Sequence, residues 1–481
     1  EAAEAVIEFP QDGALVLDLL QGLVDKSLLR CVEVTGVSGL RRFTFFESIY
    51  LFASEHLAEL TSLGALRQRH RDYYLAEAER LAELREGARG LEASRLLELE
   101  LDNLLKIESE CSLQESAIAV RIALVLEPIL QERGPPGTYE ELLNSVLEHA
   151  GRQSPDVQMD LLYARALWRR RVGGRLSEVE GDIELLEAVA RDSTRPLLLA
   201  RASLYRAGGL LIPMGHIVQA EGKVRTALLT VESQGRPLDR LLAHQHMSHF
   251  AEWQGRMGEA EEHAQKALQI ARDAGLQRRE GNCLRRLGVL HCNLGLPQQA
   301  EGFFREAIEI HEAFDNPRST YACLGLLAEI VLILGRHDEA LRLVEESMRR
   351  AMLLNDSVAA AHTAGILGRI HLDQGDAQQA LEHLQVGLAG LAASGWAVGG
   401  AITRVSMALA QLLLGAGNEA SIQLTAAMQV LTRNTQLQAR LQALCVLAVA
   451  HARGSAPDAV QEALLEAMEL AATQGEVEKA L

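Results

Sequence analysis

Residues 281–300 read GNCLRRLGVLHCNLGLPQQA, and part of this pattern recurs along the chain every 40 residues. Each repeat has a glycine at a predicted turn and an alanine five residues later. The glycines are Gly215, Gly255, Gly295, Gly335, Gly375 and Gly415, and the alanines are Ala220, Ala260, Ala300, Ala340, Ala380 and Ala420. A fixed period of this length indicates a solenoid, whose units pack on their neighbours. The pattern therefore favours a binding surface over an enclosed catalytic pocket.

Three further columns with the same period describe the unit. Small residues such as Gly288 fall in the middle of a first helix, and others such as Ala307 fall in the middle of a second. Because small side chains let antiparallel helices approach closely, each unit is predicted to be a helical hairpin. The residues of a third column tolerate a left-handed backbone conformation, and we expect them to lie at the end of the second helix. Its members are Gly235, Gly275, Asp315, Asn355, Gly395 and Gly475, with Thr435 as the exception.

The spacing of Gly288, Ala300 and Ala307, with Phe304 between them, resembles the tetratricopeptide repeat (TPR). A usual TPR has about 34 residues, whereas this unit has 40. The longer unit resembles the TPR-like repeats of bacterial signal-transduction regulators. The resemblance implies an all-α fold: a right-handed superhelical TPR-like solenoid of about nine helical hairpins over residues 114–481, the first hairpin being degenerate.

The first 60 residues do not follow the period. Residues 15–24 have helical periodicity, residues 27–34 and 40–46 are β-rich, and the glycines between them predict a hairpin. Residues 47–60 are again helical in pattern. This order of helix, hairpin and helix is typical of the second half of a winged helix. We therefore expect a partial winged-helix domain with a small β-hairpin at 1–60, followed by a helical connector at 61–113.

Several short motifs resemble the winged helix and connector of STAND-class ATPases, which are signal-transduction switches. They are EAAEAV at 1–6, LQGLVDKSL at 20–28, RFTFFESI at 42–49, RHRDYY at 69–74 and ELDNL at 100–104. The resemblance implies that the chain is the sensor half of such a switch. It also implies contact with an upstream nucleotide-binding domain and ligand-induced oligomerisation of the full protein.

The sequence has no G-x-x-x-x-G-K-[ST] phosphate-binding loop. We therefore expect no enzyme activity and no cofactor in this fragment, with ATP and Mg²⁺ bound only by an upstream domain. The net charge of −18 and the acidic helix around Asp18 disfavour direct nucleic-acid binding. Six scattered cysteines and the lack of a long apolar run predict a cytoplasmic protein away from the membrane.

The concave groove of the predicted superhelix is the candidate binding site. First-helix side chains near the small column would face inward, and their mixed polarity suits a peptide, a protein segment or a small polar ligand. For each residue a solvated face without a ligand remains an alternative. The groove residues are Gln245, His249, Trp253, Asn282, Arg285, Asn293, Glu329, His362, Arg369 and Asp373.

Two other clusters of residues are candidate binding sites. Arg169, Arg170 and Arg171 could contact an anionic partner, although consecutive arginines spread around a helix and also suit a solvated face. In the run HQHMSH at 244–249 the histidine spacing disfavours a metal site. His291 is expected to be a core histidine with a hydrogen-bond partner.

The predicted function is ligand or protein sensing by the repeats, which regulate an upstream ATPase of the STAND or NB-ARC type. Two alternatives stay open. One is the sensor half of an ATPase-linked transcription regulator, and the other is a stand-alone TPR adaptor that binds peptides.

Overall fold

The computed structural model describes the chain between residues 2 and 480 with short gaps. The described ranges are 2–7, 16–34, 40–57, 63–85, 89–111, 115–133, 136–148, 153–171, 176–211, 216–314, 316–354, 356–394, 397–431, 437–454 and 456–480. They form 24 α-helices, one π-helix and one two-stranded sheet. The predicted all-α class is thus confirmed. The chain divides into two compact units, Glu1–Ser154 and Pro155–Leu481.

The first unit contains eight helices and the sheet. The helices are α1 (Ala2–Val6), α2 (Val16–Asp25), α3 (Glu47–Leu57), α4 (Leu63–Leu84), α5 (Gly90–Leu99), α6 (Leu101–Glu110), α7 (Ser116–Arg133) and α8 (Pro136–Glu148). Strands β1 (Leu29–Glu33) and β2 (Arg41–Phe45) pair antiparallel, with Leu29 opposite Phe45. The predicted strand pair is therefore present, while its turn at 35–39 lies outside the described residues. The winged-helix identity and the bounds 1–60 and 61–113 stay predictions.

Burial is uneven within the first unit. Helices α1, α2 and α3 contain no buried residue. Helix α4 buries Leu75, Ala78 and Leu81, which recur at helical spacing and form one apolar stripe. The apolar side chains before residue 58 are largely exposed, as with Leu17, Phe45 and Phe52. The core of this unit therefore lies among its later helices.

The second unit is a series of eight helix pairs. The pairs are α9 (Pro155–Arg171) with α10 (Leu176–Ser193), α11 (Pro196–Arg206) with α12 (Ile217–Gln234), α13 (Pro237–Trp253) with α14 (Met257–Asp273), α15 (Gln277–Asn293) with α16 (Pro297–Ala313), α17 (Pro317–Ile333) with α18 (His337–Leu353), α19 (Ser357–Asp373) with α20 (Ala377–Ser394), α21 (Ala397–Leu413) with α22 (Gly417–Val430), and α23 (Leu437–Arg453) with α24 (Pro457–Ala480). A π-helix, Ala207–Leu211, follows α11.

The turn glycines end the first helix of five hairpins, which begin with α13, α15, α17, α19 and α21. Their φ angles lie between +73° and +84°, where glycine carries no steric penalty. In the turn after α15, the Gly295 N–H donates to the carbonyl of Cys292 at 3.0 Å, and the next amide donates to His291 at 2.9 Å. This pattern is a Schellman cap. The glycines with this geometry are Gly255, Gly295, Gly335, Gly375 and Gly415; Gly215 lies outside the described residues.

The third column follows its predicted geometry only in part. Gly275 is left-handed with φ +66°. Gly235 is not, and the prediction is wrong there: it is extended, with φ −77° and ψ 153°. The chain runs directly from Gly235 into an extended Arg236, the conformation favoured before the proline that opens α13. Gly475 lies inside α24, which continues to Ala480, so the prediction of a helix end is wrong there too. Asp315, Asn355 and Gly395 lie outside the described residues.

The small columns let the helices of a hairpin meet closely. A Cβ on Gly288 would lie 2.8 Å from the Phe304 ring, and one on Gly368 would lie 2.6 Å from Cγ of Leu384. Both distances are shorter than real carbon contacts, so a larger residue at either position would force the neighbouring side chain to shift. The predicted role of the column as a hairpin seam is confirmed at these two positions. No described helix carries an apolar segment that could span a bilayer.

Candidate ligand-binding face

One face of the first helices carries all ten predicted groove residues. We call it the first-helix face and define it by four helical positions, spaced i, i+3, i+7 and i+11, on α13, α15, α17 and α19. Residues with this spacing lie within about one third of a helix circumference. The face comprises Leu242, Gln245, His249 and Trp253; Asn282, Arg285, Val289 and Asn293; Ala322, Gly325, Glu329 and Ile333; and His362, Gly365, Arg369 and Asp373.

A first polar cluster joins α17 and α19. Arg369 forms an ion pair with Glu329, one full period earlier, and His362 Nε2 lies 3.7 Å from Glu329 Oε1. Burial alone would raise the pKa of Glu329, but the charges of Arg369 and His362 outweigh it and hold that pKa below its usual range. Burial is also the main cause that lowers the pKa of His362. Because Arg369 and Glu329 lie on the first helices of successive hairpins, their ion pair shows that the face continues from one hairpin to the next.

A second polar cluster joins α13 and α15. The Asn293 amide donates to Glu252 Oε1 at 2.6 Å, and Arg286 donates to Glu252 Oε2 at 2.5 Å. Against the effect of burial, Arg286 and His249 lower the pKa of Glu252. Burial, and then the charge of Arg286, lowers the pKa of His249 to about 4, so this ring is neutral at pH 7.

Sequence reasoning missed Glu252 and Arg286. Glu252 lies one residue before Trp253 and shares its repeat column with Cys292, so the column does not stand out by residue type. Arg286 lies just beyond the edge of the face. A search of every first-helix repeat column for charged residues would have identified Glu252. Its ion pair with Arg286 can be recognised only from the three-dimensional structure.

The other predicted groove residues do not join these clusters. Gln245 donates to the sulfur of Cys283 at 3.5 Å. Within the described part of the chain, Trp253, Asn282, Arg285 and Asp373 have no hydrogen bond or ion pair. Asp373 is exposed and the other three are half-buried. These side chains are therefore available to a ligand, whereas the clustered ones already have partners.

The three consecutive arginines have intramolecular partners where they are described. Arg169 and Arg165 both bind Asp182, at 3.0 and 2.6 Å, and the Asp182 side chain is only 2% exposed. Arg170 donates to the carbonyl of Gly208 at 2.6 Å. The side chain of Arg171 lies outside the described residues. Contact of this cluster with an anionic partner stays a prediction.

Two histidines outside the face, His291 and His244, belong to the packing. His291 is 4% exposed, and its Nε2 lies 3.2 Å from Glu261 Oε1, as predicted for a core histidine. His244 lies 2.7 Å from Glu232 through Nε2 and 2.8 Å from His263 through Nδ1. In the described ranges, no three His, Cys, Asp or Glu side chains group closely enough to hold a metal ion.

A buried charge network between α9, α11 and α13 was not predicted. Arg201 is 1% exposed and donates to Asp156 at 2.7 Å, while its Nε lies 3.2 Å from the fully buried Asp239. Arg201 also binds Asp160, which accepts a hydrogen bond from the Tyr205 hydroxyl at 2.7 Å. Since each carboxylate here has a cationic partner, the network stabilises packing and leaves no charge free for a ligand.

Comparison with known proteins identifies the repeats. The family model described as the MalT-like TPR region matches residues 194–478. A Rap protein in complex with competence and sporulation factor has a TM-score of 0.58 at 13% identity, over 76% of this chain and 99% of that chain. NprR with its cognate peptide NprX has a TM-score of 0.50 at 18% identity, over 64% of this chain and 87% of that chain.

A third solved structure is a STAND protein with a tetratricopeptide repeat sensor from Pyrococcus horikoshii. It has a TM-score of 0.44 at 13% identity, over 89% of this chain and 59% of that chain. No curated relative matches the sequence. The likeness to the Rap protein and to NprR shows the fold alone, and it confirms the predicted TPR-like solenoid.

Proposed function

Because the chain belongs to the family of MalT-like TPR regions, we propose that it is a non-catalytic sensor domain whose first-helix face binds a peptide or protein segment. The observation that carries the proposal is the continuity of the face, shown by the pairing of Arg369 with Glu329 across one period. NprR, which has a similar fold, was solved in complex with its cognate peptide NprX, and this supports a peptide as the class of ligand.

The chemistry of the face suits an extended peptide. Free amide groups such as that of Asn282 pair with a peptide backbone, and Ile333, which is 53% exposed, offers an apolar contact. Adjacent packed helices lie about 10 Å apart. Four first helices therefore span on the order of 30 Å, the length of about nine extended residues at about 3.4 Å each.

The test is selection of random decapeptides displayed on phage against the purified protein. A matched pair of variants locates the site. Ala322→Trp places a bulky ring on an exposed position of the face, whereas Arg342→Trp places it at an exposed position on α18. We expect enriched peptides to lose at least tenfold in affinity with Ala322→Trp and to keep it with Arg342→Trp. The proposal fails if no peptide is enriched, or if the two variants bind equally.

We further propose that the first unit couples this sensor to an upstream STAND-type nucleotide-binding domain in a cytoplasmic bacterial switch. Residues of the motifs that resemble this class lie together in the unit. Arg42 pairs with Glu100 at 2.9 Å, Glu100 accepts from Asn103 at 2.7 Å, and Arg69 donates to the carbonyl of Val6 at 2.8 Å. The exposed apolar side chains of α2, β2 and α3 supply a surface for such a contact.

The proposed mechanism is a population shift. A peptide that binds one geometry of the repeats more tightly favours the state of the switch with that geometry, by no more than its difference in affinity. The upstream domain would hold ATP and Mg²⁺ and would assemble into an oligomer in the open state. Regulation of transcription would require a DNA-binding domain elsewhere in the full protein.

The test uses the full-length protein and a selected peptide. We expect the peptide to change ATP turnover and oligomer size, and we expect deletion of residues 155–481 to abolish that response. Unchanged turnover and unchanged oligomer size on both treatments would refute the coupling. If the gene encodes no phosphate-binding loop upstream of this segment, the stand-alone adaptor is the correct alternative.

A further inference from the structure

The basic residues of α15 are unevenly paired. The helix carries Arg278, Arg279, Arg285 and Arg286 but a single acidic residue, Glu280. Glu280 is bound by Arg272 of α14 at 2.7 Å. Arg286 pairs with Glu252 of α13. Arg285, which lies on the first-helix face, is left without an ion pair or hydrogen bond to any described residue.

The surroundings of Arg285 do not compensate its charge. Its field acts on the thiol of Cys323 and on the ring of His311. Burial raises the pKa of Cys323 to about 12, so the thiol stays neutral. Burial first, and then Arg285 and Arg278, lower the pKa of His311 to about 4. The half-buried Arg285 side chain has no anionic partner among the described residues, and a partly desolvated guanidinium is stabilised by an anion.

Space for an anion lies on the same face beside Asn282. On the next first helix, α17, the position that corresponds to Asn282 is the exposed Ala322, whose side chain is a single methyl group. Gly325, which corresponds to Arg285, is buried against Ser347 and Ile366 and adds no space. Asn282 precedes Arg285 by three residues, so their side chains lie on the same side of α15. A guanidinium and an amide together present several parallel N–H donors, which match a carboxylate.

We propose that Arg285 and Asn282 form a carboxylate-binding subsite for an acidic side chain, Asp or Glu, within the bound peptide. The side chain is favoured over the peptide terminus because polar positions continue on both sides of α15, at Gln245 on α13 and at Glu329 on α17. The inference rests on the proposed function of the first-helix face and adds a charge requirement to it.

The test uses fluorescent decapeptide libraries that fix Asp, Glu, Asn or Gln at each position in turn. Each library is made with a free carboxyl terminus and with an amide terminus. We expect one position at which Asp or Glu binds at least tenfold more tightly than Asn or Gln, whichever the terminus. Arg285→Gln should abolish this preference, so that the acidic and neutral libraries bind the variant equally. Arg285→Lys should restore part of it.

Arg342→Gln, an exposed arginine of α18, is the matched control and should keep the preference. The subsite is overturned if neutral and acidic libraries bind equally, if only the free terminus matters, or if Arg285→Gln leaves the preference intact. Failure of every library to bind the unmodified protein would instead refute the peptide-binding function itself. The two failures are therefore distinguishable.

Discussion

Two regions of the second unit are stabilised in different ways. In the periodic region, α15 to α20, glycines such as Gly288 and Gly368 fit against Phe304 and Leu384. Ion pairs such as Arg305 with Glu301 and Arg349 with Glu346 lie at the surface there. In the entry region, α9 to α13, Arg201, Asp239 and Asp182 are buried. The periodic region therefore depends on shape, and the entry region depends on charge.

The comparison of these two regions shows which structural features a sequence repeat can predict. The 40-residue period repeats the small and large apolar positions because every hairpin must bury the same seam. Among the described residues of the second unit, the buried arginine and aspartate side chains, Asp182, Arg201 and Asp239, all lie in the entry region. Their ion pairs are confined to this one part of the solenoid, so they do not recur with the 40-residue period of the sequence. Four measurements test the contrast, beginning with the largest expected effect.

The buried network should be the most sensitive to loss of a cation. Arg201→Met removes one of the two arginines that pair with the fully buried Asp239, Arg236 being the other, and should cost up to about 3–5 kcal/mol in the free energy of unfolding. Arg195→Met removes a 53% exposed partner of the same Asp156 and should cost less than about 1 kcal/mol. Urea denaturation measures both, and equal losses would contradict the contrast.

Overpacking should be the sensitive change in the periodic region. Gly288→Ala pushes a methyl group against the Phe304 ring and should destabilise the protein by about 1–3 kcal/mol. Gly302→Ala, on α16, meets no atom within 4 Å and should raise stability by up to about 1 kcal/mol, because alanine favours helix. Opposite shifts in the urea midpoint are expected, and shifts of the same sign would be inconsistent with the seam.

Acid should weaken both regions through buried histidines. Burial lowers the pKa of His246 on α13 and of His311 on α16 to about 4, from 6.5. Between those values the unfolded chain binds more protons, so stability falls as pH decreases from 6.5 to 4, by up to about 1.4 kcal/mol per pH unit for each ring.

The histidine prediction is measured as the slope of unfolding free energy against pH. His246→Gln should reduce the slope by nearly one proton in the entry region, and His311→Gln should do the same in the periodic region. An unchanged slope in either variant would show that its ring titrates normally in the folded protein.

The smallest effect concerns the turns. Gly335→Ala places a side chain at φ +78° and should cost about 1–2 kcal/mol through backbone strain. Gly258→Ala, near the start of α14 with open space around it, is the matched control and should be neutral or stabilising. Thermal denaturation distinguishes them, and equal melting temperatures would argue against a conformational role for the glycine.

The contrast also explains how far the sequence can be interpreted. The hairpins, their seams and the positions of the ten groove residues on one face follow from spacing, because helical geometry converts spacing into direction. Pairings such as Glu252 with Arg286, or Arg201 with Asp156, depend on side chains 34 and 45 residues apart in the chain. Their contact is set by how helices stack, which spacing along one helix does not contain.

The first 57 residues show a second limit of prediction from sequence, which concerns burial. The strand pair was predicted from β-rich runs that end in glycine, and Leu29 is buried as an apolar strand residue should be. The exposure of Phe45 and Phe52 was not predicted. Hydrophobic patterning indicates which side chains favour burial, but it does not indicate what covers them.

The five left-handed turn glycines make the hairpins interchangeable. Because Gly295 and Gly335 share one backbone geometry and end equivalent helices, removal of residues 296–335 would join two ends that already match. Recombination within the gene that adds or deletes 40 codons would likewise preserve the reading frame and the packing of every remaining hairpin. The length of the first-helix face can thus change during evolution without a new fold.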